Sequence, residues 1–104
     1  MTAPARRKQL NDLLKGLLGS SNVYFQPPDN MTMQYPCIVY ERDNASVKHA
    51  DDMPYNHVQR YQVTLIDQNP DSEVFEKLKA LPLCAFSRHF ATSGLNHDVF
   101  VIYH

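Results

Sequence analysis

The chain has 104 residues, a hydrophobic fraction of 43%, an aromatic fraction of 11% and a formal net charge of -1. That length holds one core and is too short for two, and the composition is that of a folded domain. A charge so near zero supplies no global field to hold nucleic acid or a strongly charged partner, and no apolar run approaches the ~18 residues of a membrane span.

Residues 4–18, within an amino-terminal segment 1–21, predict a helix: Leu10, Leu13, Leu14, Leu17 and Leu18 recur at helical spacing and Gly19 suits its end. Gly16 inside it costs about 1 kcal/mol relative to alanine, so the helix depends on packing. Arg6, Arg7 and Lys8 precede the leucines as in a secretion signal, but Asn11, Asp12 and Lys15 interrupt the apolar run, and a signal is not expected. Residues 22–25 predict a short strand, ended by Pro27 and Pro28, with a loop to about Gln34. Pro36 opens a strand over 37–42 whose first four residues are apolar on both faces. The connection over 43–56 is polar and mixed in charge from Val47 onward and is interrupted by Pro54; it predicts a protruding arm that serves interaction.

From Tyr61 the chain alternates, with Tyr61, Val63 and Leu65 on one face and Gln62 and Thr64 on the other. Asn69, Pro70, Asp71 and Ser72 form a turn that becomes a helix, with Asn69 or Asp71 as cap and Pro70 in the first turn. Val74, Phe75, Leu78 and Leu81 make one apolar stripe, and Pro82 stops it. Residues 83–92 alternate again, placing Cys84, Phe86 and Phe90 on one side and Ala85, Ser87 and His89 on the other. Ser93 and Gly94 turn the chain into a last strand, 96–104, apolar on both faces.

The expected architecture is a single α+β domain over 1–104, with a mainly antiparallel sheet of four to five strands and two helices packed on one face. Two helices cover one side of a sheet. Because 37–40 and 99–103 are apolar on both sides, the second face predicts self-association, since subunit interfaces resemble a core cut in half.

Motifs for chemistry are sparse. His49, His57, His89, His97 and His104 fit no zinc spacing, and Cys37 and Cys84 form no CxxC pair; both thiols are read as reduced. His97 beside Asp98 resembles a held imidazole, with Ser87 or Ser93 as nucleophile, but no G-x-S-x-G elbow accompanies them. Glu41, Asp43, Asp51 and Asp52 lack the spacing and glycine of a calcium loop and read as a solvated acidic loop. Arg6, Arg7 and Lys8 make only a small basic patch. No enzymatic activity, cofactor or metal is expected.

Four segments taken together, NVYFQPP at 22–28, YPCIVYERD at 35–43, RYQVTLIDQNPDSEVFEKLKALP at 60–82 and NHDVFVIYH at 96–104, resemble the tail terminator or tail completion (tail-to-head joining) proteins of long-tailed phages and prophages. The similarity runs in order over about four fifths of the chain, and the leading helix matches only in kind. The resemblance implies a virion protein, assembled in the host cytoplasm, that forms a ring, usually a hexamer, on the head-proximal end of the tail tube. Such a ring stops tube polymerisation, presents a surface to the neck proteins of the head and lets DNA pass through its hole. It offers no catalytic positions. From the sequence itself, Val39, Phe100 and Ile102 are candidate subunit or sheet contacts, and Lys48, His49, Asp51 and Asp52 candidate contacts of the arm. The alternatives are a head-side connector or stopper ring, and a small metal-binding or hydrolytic module built on His97 and Asp98.

Overall fold

The structure is a computed structural model, and it describes residues 3–43 and 59–104. The expected arm at 43–56, with Lys48, His49, Asp51 and Asp52, lies outside the described residues except for Asp43. Helix α1 spans Ala3–Leu18, followed by strands β1 (Val23–Phe25), β2 (Cys37–Arg42) and β3 (Arg60–Asp67), helix α2 (Glu73–Lys79), and strands β4 (Cys84–Thr92) and β5 (Leu95–Tyr103). The fold is α+β, with one five-stranded sheet in the order β1-β2-β3-β5-β4. All neighbours are antiparallel except β1 and β2, which run parallel.

Both helices lie on one face. Leu10 and Leu14 of α1 and Leu78 of α2 are fully buried against Ile38, Tyr40, Tyr61, Val63, Leu65, Phe100 and Ile102. Register explains the set: Val63 stands opposite both Tyr40 and Phe100, so alternate residues of three strands project to the same side. Each buried leucine contributes about 1.5–3 kcal/mol, which offsets the poor intrinsic propensity that Gly16 brings to α1. Gly19, at φ +79°, ends that helix, its N–H donating to the Lys15 carbonyl at 2.9 Å. On the same face, toward the β4 edge, Phe75, Phe86 and Phe100 form a trio with ring centroids 5.3–5.5 Å apart.

The start of α2 differs from expectation by one residue. Asn69 accepts from the Asp71 N–H within the turn, at 3.0 Å, and Pro70 precedes the helix. Ser72 is the N-cap, its hydroxyl accepting from the Val74 N–H at 3.3 Å. Ser72→Ala is expected to lower unfolding free energy by roughly 1 kcal/mol in chemical denaturation, the usual worth of such a cap. No change on substitution would remove the cap from the helix's stabilisation.

A second difference decides which side chains meet. The Ser93–Gly94 turn has positive φ at both positions, +54° and +75°, the two-residue geometry that matches strand twist. Pairing runs regularly outward from it, Thr92 opposite Leu95 through Arg88 opposite Val99, and then slips, so that Phe86 faces Phe100. Ser87 is the extra residue. A bulge shifts the alternation by one, so Phe86 lies on the helix side while Phe90 lies on the other, and the expected common face of Cys84, Phe86 and Phe90 is broken.

Candidate functional site

The helix-free face of the sheet carries Cys37 and Val39 of β2, Thr64 and Ile66 of β3, and Val99 and Val101 of β5. Cys37, Ile66 and Val99 are buried although neither described helix packs on this face, whereas Val39 and Val101 are half-buried. Cys37 and Cys84 are free cysteines. Burial, with a smaller push from Asp67, moves the Cys37 thiol up to about 11, and burial also raises Cys84. Neither is poised as a thiolate nucleophile near neutral pH.

Of the three candidate subunit contacts, only Val39 lies on this face. Phe100 is 0% exposed and Ile102 3%, both under the helices. Their side chains belong to the chain's own core, where their register with Val63 and Tyr61 makes them contacts within the sheet.

Of the seven exposed large apolar side chains among the described residues, five lie at the sheet's margins, the others being Leu13 on α1 and Tyr103 on β5. Among the described strands β4 is an edge with β5 beside it, and eight of its nine residues are exposed. Phe86 on the helix side and Phe90 on the open side are each 42% exposed, and Leu83 just before the strand is 50% exposed. Phe90 stacks on His97 at 4.6 Å, and the Arg88 guanidinium stands 5.9 Å from its ring centroid. At the opposite margin, the connection from β1 to β2 exposes Met31 and Tyr35, each 42%. Tyr24 anchors that connection, its hydroxyl accepting from the Gln34 N–H at 3.2 Å. Neither margin stands out in the sequence, where 26–34 reads as a plain loop and 83–92 as an ordinary alternating strand.

An open cleft of about 500 Å³ lies between the start of α2 and β4, lined by Asp71, Glu73, Glu76, Phe75, His89 and Asp98 among others. Here the expected His97–Asp98 pair is replaced by another. Asp98 Oδ1 lies 2.7 Å from Nδ1 of His89, while His97 lies across the sheet with Nδ1 3.3 Å from the Leu95 carbonyl. Consecutive strand residues point to opposite faces, so His97 and Asp98 cannot share a site. Counting outward from the Ser93–Gly94 turn pairs His89 with Asp98 from sequence alone. The pair orients an imidazole toward an acidic cleft, but the expected nucleophiles are elsewhere: Ser87 is at the bulge and Ser93 at the turn. Ser72, which lines the cleft, has its hydroxyl engaged with the Val74 amide.

The acidic residues near the arm are also engaged. Asp43 pairs with Arg60 at 3.0 Å, and Glu41 accepts from Gln62 at 3.2 Å. Among the described residues no three histidine, cysteine, aspartate or glutamate side chains converge as metal ligands. No described helix is long and apolar enough to cross a membrane. Comparison with protein-family models, with curated proteins and with solved structures finds no match to this chain.

Proposed function

We propose that the protein is a structural ring component of a long-tailed phage or prophage tail, closing the head-proximal end of the tail tube. The observation that carries this reading is the distribution of exposed apolar side chains: both helices lie on one face, and five of the seven exposed large apolar side chains among the described residues, Met31, Tyr35, Leu83, Phe86 and Phe90, lie at the two sheet margins. A partner is needed along those margins. The ordered resemblance of residues 22–104 to tail terminators supplies its identity as further copies of the same chain.

The mechanism is physical. One ring face complements the last ring of tube protein, while the other presents a different surface, so no further tube ring adds and the neck proteins of the head find their seat. DNA is a passenger through the hole, in keeping with a net charge of -1. Catalysis, metal and cofactor have no part in this reading.

Light scattering behind size exclusion, at rising protein concentration and then with assembled tail tubes, tests it. The expected result is a ring-sized mass, or monomers that bind tube ends and arrest their growth. A chain that ignores tube ends defeats the terminator reading. Binding to portal components in its place transfers the ring to the head side.

A further inference from the structure

The two exposed margins differ from one another and lie at opposite edges of the sheet, which sets how copies of the chain fit together. β4 offers a nine-residue open edge with Phe86 projecting on one side and Phe90 on the other. Such an edge presents outward amide and carbonyl groups, and among the described strands only β5 pairs with β4. At the far margin β1 has only three residues and is too short to act as an equivalent edge. The connection beside it, however, presents Met31 and Tyr35. Its Met31 amide bonds back to the Pro28 carbonyl and its Gln34 amide to Tyr24, but among the described residues no hydrogen bond engages Thr32 or Met33.

Charge points the same way. Asp29 is the only charged residue in 20–36. Across 84–94 Arg88 is the only lysine or arginine, and there is no aspartate or glutamate.

We propose that copies of this chain join head to tail, with the connection around Met31–Gln34 of one lying along the β4 edge of the next. Asp29 then faces Arg88, and Met31 and Tyr35, which share one face of an extended segment with Asp29, cover Phe90 on the same side of the edge as Arg88. This deepens the ring reading and rests on it, because it names the two surfaces that meet. A β4-to-β4 dimer would satisfy one margin and leave the other bare in each copy. Head-to-tail contact covers both margins in every copy and closes into a ring when the rotation allows. An added strand sets Met31 and Tyr35 over Phe90 and leaves Thr32 and Gln34 to the Phe86 side.

Two variants, each blocking one margin, test the geometry without tubes. Phe90→Asp on β4 and Met31→Asp on the connection are each expected to stay monomeric in light scattering. Mixed, they are expected to form a particle of two chains, because each retains the margin that the other lacks. Formation of that pair also shows both variants folded. A second set, Arg88→Asp and Asp29→Arg, is expected to weaken wild-type self-association about tenfold singly and to recover most of it when combined in one chain. A Met31→Asp protein that still dimerises, a mixture without pairs, or a wild-type chain monomeric at every concentration overturns the inference. Tube binding is scored separately: pairing without tube capture preserves head-to-tail docking and removes the terminator role, and capture without pairing does the reverse.

Discussion

Phe100→Ala is expected to lower the free energy of unfolding by about 3–5 kcal/mol, the range for truncating a buried phenylalanine where the surroundings relax only in part. Phe100 is 0% exposed, lies opposite Val63 on β3 and Phe86 on β4, and touches both Phe75 and Phe86 through its ring. Its removal therefore opens a cavity where α2 meets two strands. Since single domains have only about 5–15 kcal/mol in total, a loss of this size consumes much of the margin and places the variant near unfolding at raised temperature. Phe86→Ala, at the same trio but 42% exposed, is expected to lose clearly less. Urea denaturation of the two variants gives the comparison. Equal losses, or a Phe100→Ala protein as stable as wild type but defective in association, would return Phe100 to the interface role that its doubly apolar strand suggests.

That assignment marks where the sequence stops being legible. Residues 61–65 alternate so cleanly that their buried side follows from the pattern alone, and Leu10, Leu14 and Leu78 fall where helical spacing puts them. In β5 both faces are apolar, so alternation leaves open whether Val99 or Phe100 looks toward the helices. The answer lies in the register with β3, which runs through α2 and β4 and is not a local property. The parallel pairing of β1 is hidden for a related reason: a strand of three residues carries no pattern that distinguishes parallel from antiparallel.

The candidate site is readable to a similar depth. A two-residue turn pairs His89 with Asp98 by counting, and only an assumption that sequence neighbours share a face puts His97 there instead. The bulge at Ser87 has no such signal, because neither glycine nor proline marks it. It is nevertheless what puts Phe86 and Phe90 on opposite sides of the exposed edge. The tertiary environment decides the position of that slip: Phe86 completes the contact with Phe75 and Phe100, while Phe90 stacks on His97.

Stability is expected to fall steeply with alkali, beginning near pH 9 and continuing to about pH 12. Burial pushes the Cys37 thiol up to about 11, with the Asp67 charge adding to it, and burial pushes the Tyr40 phenol up to about 12 against a smaller opposing pull from Arg7. Both side chains are enclosed, at 0% and 1% exposure. Each group loses its proton more readily in the unfolded chain than in the fold. The stabilisation is therefore complete below the ordinary thiol and phenol values and drains away as pH climbs toward the folded ones. Two pH units at about 1.4 kcal/mol each give roughly 3 kcal/mol per group, on the order of 6 kcal/mol together. Tyr61 and Cys84 shift in the same direction. Unfolding free energies measured from pH 8 to 12 test this through their slope. Cys37→Ala is expected to delay the onset of the fall, and Tyr40→Phe to flatten its upper part, while losing about 1 kcal/mol at neutral pH with the 2.8 Å hydrogen bond from the Tyr40 hydroxyl to Asn11. A wild-type curve that stays level through pH 11 would mean that water reaches Cys37 in the folded protein. The helix-free face of β2 would then be open, and cover for Cys37, Ile66 and Val99 would have to come from a second subunit.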